Sequence, residues 1–137
     1  MASAAVTASE GALWSNRPPG EVHGATVEAL GRVVHELPGG DSPLRCRVFL
    51  ALSREMYWAP RPQEREAYAE LGLAMARRLD DAQLHAWACH TSFVGAIRPD
   101  TMEARMALAA EAVACSREAD DPEGVTTGLL FQAMVAG

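Results

Sequence analysis

Apolar residues recur along this chain at helical spacing in six separate stretches. Val27, Leu30, Val34 and Leu37 follow a 3, 4, 3 spacing that lays them on one stripe of a helix over 25–37. Pro38-Gly39-Gly40 stops that helix. Ser42-Pro43 reads as an N-cap with proline in the first turn. Leu44, Val48, Leu52 and Met56 make the second stripe, which ends at Tyr57, Trp58 and Pro60. A third helix starts at Pro62 and reaches Leu79, with Tyr68, Leu71, Met75 and Leu79 inward. Asp80-Asp81 turns the chain into a fourth, from Ala82 to about Ile97, with Leu84, Trp87 or Ala88, Thr91 and Val94 inward. Arg98-Pro99-Asp100-Thr101 separates it from a fifth, carrying Met102, Met106, Ala109 and Val113. Asp121-Pro122 starts a sixth, whose stripe is Val125, Leu129, Ala133 and Ala136. No segment alternates with period two for long enough to read as a strand.

The pattern repeats itself. Shifted by 40, the stretch from Arg65 to Asp81 falls on Arg105 to Asp121 with seven identities: Arg65/Arg105, Ala67/Ala107, Ala69/Ala109, Ala74/Ala114, Arg77/Arg117, Asp80/Asp120 and Asp81/Asp121. A weaker echo in the other direction sets Asp81 on Asp41, Leu84 on Leu44 and Ala69 on Ala29. Two helices per period of about 40 residues is the signature of an α-solenoid. The expected fold is all-α: a right-handed, TPR-like superhelix of about three antiparallel helix pairs over residues 14–137. Residues 1–13, small and polar without periodicity, read as a disordered tail. Pro18-Pro19 makes 13–20 an extended lead-in, with Trp14 expected to pack on the first helix.

Composition sharpens this picture. The hydrophobic share of 49% is ample for one core in 137 residues, and aromatics at 6% against abundant alanine favour closely packed helices. Net charge is −6, and all twelve basic residues are arginine. An acidic chain without a basic cluster is a poor ligand for a phosphate backbone, so no direct nucleic-acid contact is expected. No apolar run has the length of a membrane span and no secretory leader pattern opens the chain. Three cysteines without a CxxC read as reduced core residues of a cytoplasmic protein.

Three phrases carry a resemblance: LPGGDSPLRCR (37–47), EMYWAPRPQEREAYAELGLAMARRLDD (55–81) and IRPDTMEARMALAAEAVACSREADDPE (97–123). With the lead-in RPPGEVHGATVEAL (17–30), they resemble the TPR-like region of large actinobacterial transcriptional regulators. These are the LuxR-type ATPase regulators and the antibiotic regulatory proteins with a bacterial transcriptional activation domain. The resemblance implies a superhelical array similar to the MalT-like sensor domain, set beside a nucleotide-switch domain. The chain has no GxxxxGK[ST] phosphate loop and no helix-turn-helix with a basic face, so neither ATP nor DNA binding is expected of it.

Chemistry-bearing residues are few. His85 and Cys89, four apart, share a helical face that suits a soft metal, with Cys46 as a third ligand and no fourth; the favoured reading is a core cysteine, with no metal and no cofactor. Cys89 beside His90 points the wrong way for a nucleophile–base pair, and no GxSxG elbow occurs, so no catalytic residue is expected. Asp80-Asp81 and Asp120-Asp121 recur in register and read as turn-and-cap residues. Tyr57, Trp58, Trp87 and Phe93 either line a concave groove or fill between repeats, the latter being favoured. Arg61 and Arg98 join them as groove candidates; with Arg65, Arg77, Arg105 and Arg117 they read first as a solvated face paired to Glu64, Glu66, Glu103 and Glu118. Leu129, Leu130, Phe131 and Met134 exceed what one stripe can hide and mark a self-association face, giving a homodimer through the last helix pair. The expected function is a non-catalytic protein-interaction or regulatory module of a transcriptional regulator. The alternative is a sensor holding a small effector in the groove, favoured if an open apolar pocket lies near Trp58 and Trp87.

Overall fold

The computed structural model describes residues 19–137. The expected tail, Trp14 and most of the lead-in lie outside the described residues. Six α-helices follow one another: α1 (Gly24–Glu36), α2 (Pro43–Glu55), α3 (Pro62–Arg78), α4 (Ala82–Gly95), α5 (Met102–Glu118) and α6 (Pro122–Ala136). A 3-10 turn, Pro99–Thr101, precedes α5, and no strand occurs among the described residues. None of these helices is long and apolar enough to cross a membrane.

The helix starts are written in the local chemistry. The side chains of Ser42, Asp81 and Asp121 each accept a hydrogen bond from the backbone N–H three residues on, at Arg45, Leu84 and Gly124. Pro43, Pro62 and Pro122 occupy first-turn positions whose N–H has no partner within the helix. Gly40 turns at φ +97° before Ser42, and Asp120 takes a left-handed φ of 53° before Asp121, a conformation that Asp tolerates better than most residues. The cap of α2 is therefore Ser42, one residue off the Asp41 that a shift of 40 from Asp81 selects; Asp41 instead accepts a forked pair from Arg78 at 2.6 and 2.9 Å.

Successive helices pack antiparallel. The Cys46 thiol at the start of α2 donates to the Gly72 carbonyl late in α3, and Arg65 at the start of α3 reaches the end of α4. Beyond chain neighbours, α2 touches α4 and α4 touches α6, whereas α1 packs on α2 alone. So α2, α4 and α6 run side by side in one direction, with α3 and α5 between them on the other side.

Burial in α3 and α5 follows the same 40-residue shift. The buried positions of α3 are Ala69, Gly72, Leu73, Met75 and Ala76; those of α5 are Ala109, Ala112, Val113, Cys115 and Ser116, each 40 further on. Small residues carry much of that face because the helices approach closely. A Cβ on Gly72 would stand 2.6 Å from Leu50 Cδ2, and one on Gly128 2.6 Å from Val113 Cγ2.

Several expected stripes are corrected by this packing. Leu71 is 50% exposed, and Gly72 and Leu73 face the core instead. Met102 is exposed, as are Leu129, Ala133 and Ala136; α6 buries Gly124, Gly128 and Phe131. The inward residues of α4, namely Leu84, Ala88, Thr91 and Val94, are buried as expected.

Candidate functional site

The parallel helices α2, α4 and α6 leave a groove of about 660 Å³ between them. Its walls come from these three helices with their caps and the turns after α2; α3 and α5 contribute nothing. Along α2 the lining residues are Pro43, Arg47, Ser53 and Arg54, with Tyr57 just beyond. Along α4 they include Gln83, Ala86, Trp87, His90 and Thr91, and along α6 Glu123, Gly124 and Thr127. Because the three helices are parallel, the groove is polarised. Their starts place Asp81, Asp121 and Glu123 at one end, while Arg54, Tyr57 and Gly95 lie at the other.

Arg65 sets the width of that second end. Its guanidinium donates to the Tyr57 carbonyl at 2.8 Å and to the Gly95 carbonyl at 3.0 Å, tying the chain after α2 to the last residue of α4. It also lies 5.4 Å from the Tyr57 ring centroid, and its side chain is mostly buried. A cation is favoured there, where carbonyls at helix C-termini lack partners. The residue one period on, Arg105, donates to the Arg98 carbonyl and lies over the Phe93 ring. The repeated arginine is thus a helix-end clamp, a role that a solvated-face reading missed.

His90 forms part of the wall at mid-groove. Its ring meets Phe131 edge-on at 5.6 Å, and its Nε2 is shielded with no protein partner. Burial holds its pKa below the ordinary 6.5, while Asp121 and the Gly124 backbone pull the other way. Half-buried Trp87 beside the His90 ring offers an apolar face to a guest, and Thr127 and Gln83 in the lining offer hydrogen-bonding groups.

The sequence-expected candidates divide. Tyr57 and Trp87 line the groove. Trp58 does not; it is exposed and meets Tyr57 edge-on at 5.0 Å. Phe93 is wholly buried, stacked at 4.0 Å on Phe131, which is itself only 2% exposed. Neither ring is therefore available: Phe93 is not a groove residue and Phe131 is not a self-association residue. Arg61 and Arg98 lie outside the groove, paired with Glu64 and Glu66. Leu129, Leu130 and Met134 are exposed, at 47%, 54% and 47%.

His85 and Cys89 do gain a third neighbour, Glu111 of α5, with possible ligand atoms within 4.8 Å of one another. Cys46 is elsewhere, on the Gly72 carbonyl. Both Glu111 oxygens already accept from Arg77, at 2.9 and 2.8 Å, and His85 Nε2 stands 2.6 Å from one of them. Arg77 holds the Glu111 pKa down to about 2, with His85 adding to the effect. Burial pushes the Cys89 thiol far above its ordinary value, which disfavours the thiolate that a metal needs. A guanidinium in contact with the carboxylate also repels a cation. The cluster works as an ionic clip joining α3, α4 and α5. Burial likewise pushes the Cys46 thiol up to about 11, making it a poor nucleophile.

Comparison with protein-family models, with curated proteins and with solved structures finds no match.

Proposed function

We propose that this chain is a non-catalytic recognition module whose working surface is the groove between α2, α4 and α6. The observation that carries this is the construction of the groove: one open channel across three parallel helices, lined by alternate helices only. That supports a TPR-like superhelical array in which α2, α4 and α6 form the concave layer, with α3 and α5 outside. An extended segment of a protein partner suits such a channel, because its backbone can pair with Thr127 and Gln83 while an apolar side chain meets Trp87. The resemblance to the TPR-like region of actinobacterial regulators suggests the setting, a regulator whose switch is biased by what the groove holds.

A small effector is the second reading. A volume near 660 Å³ lies within the range of drug-sized pockets, and the pocket opens beside Trp87, though not beside Trp58. The test is selection from a random peptide library, alongside a thermal-shift screen of small organic compounds. Binders should perturb the amide resonances of Trp87, His90 and Thr127 and lose affinity at least tenfold in Thr127→Trp. Binders that map to other surfaces, or that Thr127→Trp leaves untouched, would overturn the groove as the site.

A further inference from the structure

The groove is charged unevenly. Its arginines, Arg47 and Arg54, both stand on α2, whereas its carboxylates, Asp81, Asp121 and Glu123, gather where α4 and α6 begin. Asp81 and Asp121 each commit one oxygen to their own helix, accepting from the N–H of Leu84 and of Gly124. None of the three carboxylates forms an ion pair among the described residues. A neutral group there is an acceptor as well. Thr127 donates its hydroxyl proton to the Glu123 carbonyl at 3.0 Å, which leaves only oxygen lone pairs for a guest. Ser116, wholly buried at the end of α5, has an Oγ without a hydrogen-bond partner. That Oγ and Asp121 Oδ2 both lie within 2.5 Å of where a Cβ on Gly124 would stand, so the polar groups of this corner are not closed among themselves.

Granted the groove as the recognition surface, on which this rests, we propose that it takes an extended peptide segment bearing a basic side chain, arginine or lysine, which enters between the starts of α4 and α6. Such a head group carries donors alone and a positive charge. It complements carboxylates that no arginine of the chain neutralises, and a hydroxyl whose proton is already committed. Length selects a peptide over a small cation. The groove flanks all 14 residues of α4, about 20 Å, which about six residues of extended chain span. Trp87 lies about 9 Å along the helix from Asp81, so an apolar side chain about three residues from the basic one meets it. A small cation answers the acidic end and leaves Trp87 uncovered.

The test selects end-capped heptapeptides from a random library on the full chain, keeps those that Thr127→Trp releases, and measures their affinity by fluorescence anisotropy. The kept peptides should be enriched in arginine or lysine about three residues from an apolar side chain. Replacing that basic residue by glutamine should weaken binding about tenfold, the scale of one charge-assisted hydrogen bond. Salt at about 1 M should weaken the parent peptide and hardly touch the glutamine peptide. Combining Asp81→Asn, Asp121→Asn and Glu123→Gln should remove the difference between the two peptides and keep both caps, since asparagine caps as well as aspartate. Combining Glu28→Gln, Glu70→Gln and Glu103→Gln removes as much charge from exposed positions outside the groove and should leave the difference intact. Kept peptides without basic enrichment, equal weakening by the two triple variants, or free arginine amide binding as tightly as the peptide would each overturn the basic segment as the occupant and leave the groove standing. A library that yields nothing released by Thr127→Trp would overturn the groove itself, and the basic segment with it.

Discussion

A guanidinium offered to two helix ends at once satisfies carbonyls that neither helix can pair alone. Arg65 does this for Tyr57 and Gly95. Arg65→Ala should therefore cost about 2–3 kcal/mol in chemical denaturation, in line with charge-assisted hydrogen bonds, whereas exposed Arg61→Ala should cost under about 0.5 kcal/mol. Equal losses at the two sites would mean Arg65 clamps nothing. Leu71→Ala should be nearly neutral and Leu50→Ala should cost about 2–5 kcal/mol, because only Leu50 leaves a cavity. Two titrations add a pH signature. Burial lowers the pKa of His90, and Arg77 lowers that of Glu111 to about 2. In both cases the unfolded chain binds a proton that the folded chain refuses, so stability is full above the ordinary pKa and falls as pH drops. For His90 the loss begins below 6.5; for Glu111 it begins below 4.5 and continues to about 2. His90→Phe should flatten the upper window and Glu111→Gln the lower one, read from melting temperature against pH. A profile unchanged in both variants would show that neither group is coupled to folding.

The caps act at the scale of the element. Asp81→Ala and Asp121→Ala should each cost about 1 kcal/mol, and Pro43→Ala less than about 1 kcal/mol, by thermal or denaturant melts. A proline variant as costly as the cap variants would displace the helix boundary. These boundaries were legible in the sequence because a cap is local: a side chain, a proline and a backbone N–H within four residues. The buried faces were legible only in part. Large apolar residues pointed to Leu71 on α3 and to Leu129 on α6, yet the contact faces there carry Ala69, Gly72 and Ala76, or Gly124 and Gly128. Glycine and alanine let helix axes approach, and a pattern weighted by hydrophobicity hardly registers them. The clearer signal was the repeat, since all five buried positions of α3 reappear in α5 after 40 residues. The groove was less legible still. Trp87 and Tyr57 stood out by size, but Gln83, His90 and Thr127 carry no periodic mark, and they become neighbours only because α2, α4 and α6 lie in parallel.

The whole molecule is held by contacts between helices close in sequence. α1 touches α2 alone and α6 touches α4 and α5, while α2 and α4 each touch helices on both sides. In such an array a terminal helix can open without breaking the packing of the rest, so local stability should fall toward the ends. The core clusters agree. One joins α2, α3, α4 and α5 through Leu50, Leu73, Cys89 and Ala112, whereas α1 contributes a single fully buried residue, Leu30. The packing of α6 rests on Phe131 against Phe93, and on Gly128 against Val113. Native-state hydrogen exchange should therefore show α1 exchanging first, α6 next, and α2 to α5 last, with protection factors separated by at least tenfold between α1 and α4. Uniform protection across all six helices would mean that the chain opens as one cooperative unit, and the graded, helix-by-helix description of its stability would then be wrong.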